Sequence, residues 1–107
     1  MARTATTVNI ISRRDAQKFL ADVQEENVFW CVDGKVFKNL RELAEGLNAM
    51  TDETFSYHCN EMKKDFSNWI RDVIGDKQLA KDLERPMSRA YAAQIVEQRV
   101  VYLSARL

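Results

Sequence analysis

Glycine, proline, cysteine and histidine are all scarce in this 107-residue chain: three, one, two and one respectively. With only Gly34, Gly46 and Gly75, no glycine-rich loop can cradle a phosphate. A lone histidine with two cysteines cannot supply three or four zinc ligands at matched spacings, so no metal site is expected, and nothing indicates a cofactor. Cys31 and Cys59 have no framework spacing and suit a reduced, cytoplasmic protein. No run of eighteen apolar residues is present to span a bilayer, and the N-terminus lacks the apolar core of a secretion signal.

What is present favours helices: 46% of residues are apolar, and helix breakers are rare. The net charge of zero is unevenly laid out. Residues 1–14 carry Arg3, Arg13 and Arg14 and no acid, whereas residues 15–86 carry ten bases against fifteen acids. The middle of the chain is therefore a poor attractor of nucleic acid.

The Thr/Ala-rich start reads as a flexible arm over residues 1–11, followed by a single helical domain over 12–107. Ser12 and Asp15 open a helix with Ala16, Phe19, Leu20 and Val23 on one face, ending near Asn27. The period then changes. VFWCVDGKVF places β-branched and aromatic residues around Asp33-Gly34, which predicts a β-hairpin at about 28–38, pairing 28–32 with 35–38 through a type I′ turn.

Asn39 caps a helix with Leu40, Leu43, Ala44, Leu47 and Met50 on its inner face, and Thr51 caps the next, facing inward with Phe55, His58, Cys59 and Met62. Asp65 is placed to cap a third, with Phe66, Trp69, Ile70 and Val73, stopped by Gly75. Asp76 starts a short helix with Leu79, Ala80 and Leu83, ended by Pro86. The last segment is the longest helix and has two apolar stripes: Tyr91, Ile95 and Tyr102 form one, and Ala92, Val96, Val100, Leu103 and Leu107 the other. The whole predicts a mainly α fold of five or six helices with one β-hairpin packed on the helical core.

His58 is the first candidate for chemistry. It shares an apolar face, a setting that more often holds a neutral, hydrogen-bonded core histidine than a catalyst. Its neighbour Cys59 projects about 100° away around the helix, so the two make no nucleophile–base pair. Asp65, Asp72 and Asp76 could line a cleft, but helix starts and the Arg71 neighbour explain them. Tyr57, His58, Asn60, Asp65, Asn68 and Trp69 read as a polar clasp docking two short helices, with Asp65 or Asn60 holding one imidazole nitrogen and the indole N–H of Trp69 donating.

Two resemblances bear on function. LRELAEGLNAMTDETFSYHCNEMKK resembles the helix-turn-helix of small winged-helix repressors, with residues 51–62 as the recognition helix. Against it stand a turn about a residue too long, Asp52 and Glu53 at the helix start, and a hairpin on the wrong side of the helices. The stretch FWCVDGKVFKNLRELAEGLNAMTDETFSYHCNEMKKDFSNWIRDVIGDKQLAKDL is more closely similar to a small uncharacterised domain family, largely archaeal and also bacterial and viral. Its pattern is an aromatic strand, a DG turn, NLxELxxxL, and a YHxN…KxDFxNWIxDV block. The similarity covers residues 28–83 and departs at Cys59 and Lys64, where the family often has Val and Asn. It implies one compact module and names no activity.

The leading expectation is a non-enzymatic protein-interaction or regulatory module. It would dock another protein, or a second copy of itself, through Tyr91, Ile95, Arg99, Tyr102 and Arg106 of the last helix. Removing residues 87–107 would then leave the rest folded. The alternative is nucleic-acid binding through Arg3, Arg13, Arg14, Lys63 and Lys64. A small enzyme or ligand pocket around His58 is the third.

Overall fold

Side-chain caps set most of the helix starts. In the computed structural model, which describes residues 10–107, the Ser12 hydroxyl accepts from the Asp15 amide and opens α1 (Arg13–Leu20). Asn39 accepts from Glu42 and opens α2 (Leu40–Ala49), and Thr51 accepts from Thr54 and opens α3 (Asp52–His58). Asp76 accepts from Leu79 and opens α5 (Lys77–Asp82), and Ser88 accepts from Tyr91 and opens α6 (Arg89–Ser104). Each satisfies one of the amides that a helix start leaves without a partner.

The exception is α4 (Asp65–Trp69), which has no side-chain cap. Asp65 is its first residue, with its carboxylate turned to His58 rather than to the helix amides. The helix continues as one π-helical turn, Ile70–Ile74, and stops at Gly75, whose φ of 94° is left-handed and whose amide bonds Ile70 O at 2.7 Å.

A two-stranded antiparallel hairpin joins the six helices. Its strands, β1 (Phe29–Trp30) and β2 (Val36–Phe37), pair Phe29 with Phe37 and Trp30 with Val36. The turn differs from the expected type I′, because no non-glycine residue among those described has positive φ. Cys31 and Lys35 close a three-residue loop, Gly34 N–H returns to Cys31 O at 2.9 Å, and Gly34 alone is left-handed at φ 96°. This is the three-residue hairpin loop with glycine in the bulge position. It spares Asp33 a left-handed backbone, and the Asp33 carboxylate accepts the Lys35 amide instead.

One hydrophobic core holds these elements together. Leu40, Leu43 and Leu47 of α2 meet Val96 and Leu103 of α6, and Ile70 and Leu79 complete the fully buried set. The longest interface is α2 against α6, with α1 packed on both. α6 is therefore core, and removing residues 87–107 would strip that face rather than leave the central helices folded. Arg89 reinforces the junction, donating to Leu47 O and Asn48 O at the end of α2 and pairing with Asp52.

Three expected positions differ further. α1 ends at Leu20 rather than near Asn27, because the chain leaves the helix to lay the Val23 amide on Lys38 O at 2.8 Å. Met62 is 90% exposed, because α3 stops at His58 and the chain turns before reaching it. Leu107, placed by its spacing on the buried stripe of α6, lies beyond the end of that helix and is exposed. Most of the expected arm, Arg3 included, lies outside the described residues, and Ile11 is half-buried against the core.

Candidate functional site

The lone imidazole is enclosed. His58 is 5% exposed, with its ring among those of Phe29, Phe66 and Tyr57 at centroid distances of 5.1, 5.4 and 4.9 Å. Nε2 accepts the backbone N–H of Val32 at 3.0 Å, and Nδ1 stands 2.9 Å from Asp65 Oδ2. Because Nε2 accepts, the proton belongs on Nδ1, facing the carboxylate. Neither nitrogen is left to take a proton from a substrate, and the ring ties three segments together: hairpin loop, α3 and the start of α4.

The other clasp residues divide. Trp69 donates its indole N–H to Asn27 O at 2.8 Å, pinning the turn before β1 rather than α3. Asn60 accepts the amides of Met62 and Lys63 and donates to Ser56 O, building the turn after α3 without touching His58. Tyr57 is half-exposed, with the Lys63 ammonium 3.9 Å from its ring centroid. Asn68 faces solvent and accepts from Arg71.

Neither thiol is prepared for nucleophilic work. Burial pushes Cys31 and Cys59 above the ordinary thiol range. The nearby Asp33 carboxyl is held below its usual range, mainly by the bond from the Lys35 amide. Among the described residues no three His, Cys, Asp or Glu side chains gather to hold a metal ion. No helix among those residues is long and apolar enough to cross a membrane.

The last helix presents its stripes unequally. Ala92, Val96 and Leu103 are buried, whereas Tyr91 is 44% exposed and Ile95 and Tyr102 are half-buried. Tyr91, Ile95, Arg99 and Tyr102 line one groove of about 370 Å³, whose other wall includes Leu79, Asp82 and Arg85. Arg106 lies outside that lining but sits on Tyr102, its guanidinium 3.6 Å from the ring centroid, and bonds Tyr102 O. Arg99 is pinned, donating through Nε and Nη2 to the two carboxylate oxygens of Asp76 at 2.7 and 2.8 Å. Asp76 is 1% exposed, so the helix-capping aspartate is also half of a buried ion pair.

Three of the five cations proposed for nucleic acid are engaged within the protein, and Arg3 lies outside the described residues. Lys63 pairs with Asp65, Lys64 donates to Asn60 O, and Arg13 donates to Leu107 O; Arg14 is exposed. In α3, Phe55 and His58 are buried, and Asp52 is paired with Arg89.

Sequence reasoning missed the Val32 amide and the Asn27 carbonyl as clasp partners, and also the Arg99–Asp76 pair. Backbone groups carry no residue signature, and nothing in the spacing joins residues 76 and 99. The chain matches no protein-family model, no curated protein and no solved structure.

Proposed function

We propose that the chain is a small non-enzymatic interaction module that docks a protein partner in the groove between α5 and α6. One observation carries this reading: the less buried stripe of α6 forms, with α5, a groove flanked by two tyrosines. Half-exposed aromatic and aliphatic side chains beside arginines are the composition of interaction surfaces. The bonded imidazole and the raised thiols speak against an enzyme built on His58 or the cysteines. Two free thiols are in keeping with a cytoplasmic setting.

Truncation is no test, since α6 is core. The double variant Tyr91→Ala/Ile95→Glu changes the groove and leaves Ala92, Val96 and Leu103 in place. Affinity capture from native lysate should lose the specifically bound proteins with this variant at unchanged circular dichroism. Recovery of the same proteins by the wild type and the variant would sink the reading.

A further inference from the structure

We infer that a second cleft, between the turn at residues 59–64 and the connection at residues 86–87, binds a small amphiphile: an alkyl chain carrying an anionic head group, for which a fatty carboxylate is the probe. The cleft shares no lining residue with the α5–α6 groove. It is about 440 Å³ in volume, within the roughly 300–1,000 Å³ typical of small-molecule sites.

Its first wall is pre-organised. Asn60 fixes the turn through four bonds: its side chain accepts from Met62 N and Lys63 N and donates to Ser56 O, and its amide donates to Lys63 O. Cys59 and Lys64 are bridged across that turn. Pro86 and Met87 form the facing wall. A separate narrow void, the neck, shares Cys59, Lys64 and Met87 with the cleft and is lined also by Leu47, Phe55 and Leu83, with space for about 10 Å³. That is one water-sized probe, so a slender hydrocarbon end fits the neck only as the flexible Met87 side chain gives way.

Charge selects the head group. Lys64 lines the cleft and is half-buried, and its ammonium donates to Asn60 O at 2.8 Å, which fixes it with two N–H groups to spare. Glu61 also lines the cleft but is exposed. Solvent screens the exposed Glu61 carboxylate, so the bonded ammonium sets the sign of the head group and favours an anion.

The test uses sodium decanoate below its micelle concentration, followed by calorimetry and by amide chemical shifts of the folded protein. Saturable binding is expected with a Kd near or below about 1 mM, with shifts at Cys59, Lys64 and Met87. Lys64→Ala should weaken binding about two- to fivefold, Lys64→Arg should retain most of it, and Met87→Trp should abolish it by filling the cleft. Decyltrimethylammonium should bind more weakly than decanoate. Vesicles of phosphatidylglycerol distinguish a bilayer from a free acid: the cleft reading expects no co-sedimentation. Absence of saturable decanoate binding, equal binding of the cationic amphiphile, or indifference to Lys64→Ala would overturn the inference, as would vesicle binding without decanoate binding. Lys64→Ala keeps the test decisive if Met87→Trp fails to fold.

Discussion

The backbone amide of Val32 donates to Nε2 of His58 at 3.0 Å, so the single histidine of α3 holds the loop of a hairpin 26 residues earlier. With Asp65 on the other nitrogen, the ring acts as a two-ended tie. His58→Ala removes the tie and opens a cavity among Phe29 and Phe66, and should lower stability by about 2–4 kcal/mol. Urea denaturation checks this, and a loss under about 1 kcal/mol would refute the clasp. Asp65→Asn can keep a hydrogen bond to the ring and should cost less.

Breaking the Arg99–Asp76 pair should be among the most damaging surface-adjacent changes. The side chains are 15% and 1% exposed, and Arg99→Ala leaves the Asp76 carboxylate buried without its partner. The expected cost is about 3–5 kcal/mol. The double variant Asp76→Ser/Arg99→Met keeps a hydroxyl to cap α5 and removes both charges, and should recover most of the loss. A thermal melt in which Asp76→Ser/Arg99→Met is as damaging as Arg99→Ala alone would contradict a coupled pair.

Gly46 stands inside α2, where alanine normally improves a helix by about 1 kcal/mol. Here a Cβ would collide with the Phe37 ring. Gly46→Ala should therefore destabilise by about 1–3 kcal/mol, the cost of overpacking. Pairing it with Phe37→Leu should restore part of the loss. A more stable Gly46→Ala protein would show that the hairpin sits away from α2.

The two thiols give a pH dependence. Burial raises both, so at pH 8 the folded protein should react with iodoacetamide more slowly than the urea-unfolded chain, and the rate should climb with pH. The linkage sign follows: a group whose pKa is raised on folding contributes stability below its unfolded value, near 9, and that contribution is lost as pH rises beyond it. Rapid alkylation of Cys59 at neutral pH would point to an activated thiol.

What could be read from the sequence was local. Asn39, Thr51 and Asp76 cap their helices because a side-chain oxygen bonds an amide three residues on, a relation confined to one turn. The inner face of α2 follows from a 3.6-residue period, and Gly75 ends its helix because glycine alone accepts φ near 94° cheaply. The mainly helical fold with one hairpin follows from those signals taken together.

Tertiary structure decided whatever depends on a distant partner. Asp65 reads both as a helix cap and, with Asn60, as a candidate partner of His58, and the fold gives its carboxylate to the imidazole and not to the helix amides. α1 stops early because Lys38 offers the Val23 amide a carbonyl, and Gly46 is small because Phe37 lies against it. The two stripes of α6 look equivalent along the chain, and only the packing of α2 and α1 settles which is buried. Bonds spanning one turn are encoded by neighbouring residues. Pairs 23 to 26 residues apart, such as Asp76–Arg99 and Val32–His58, exist only once the core has closed around them.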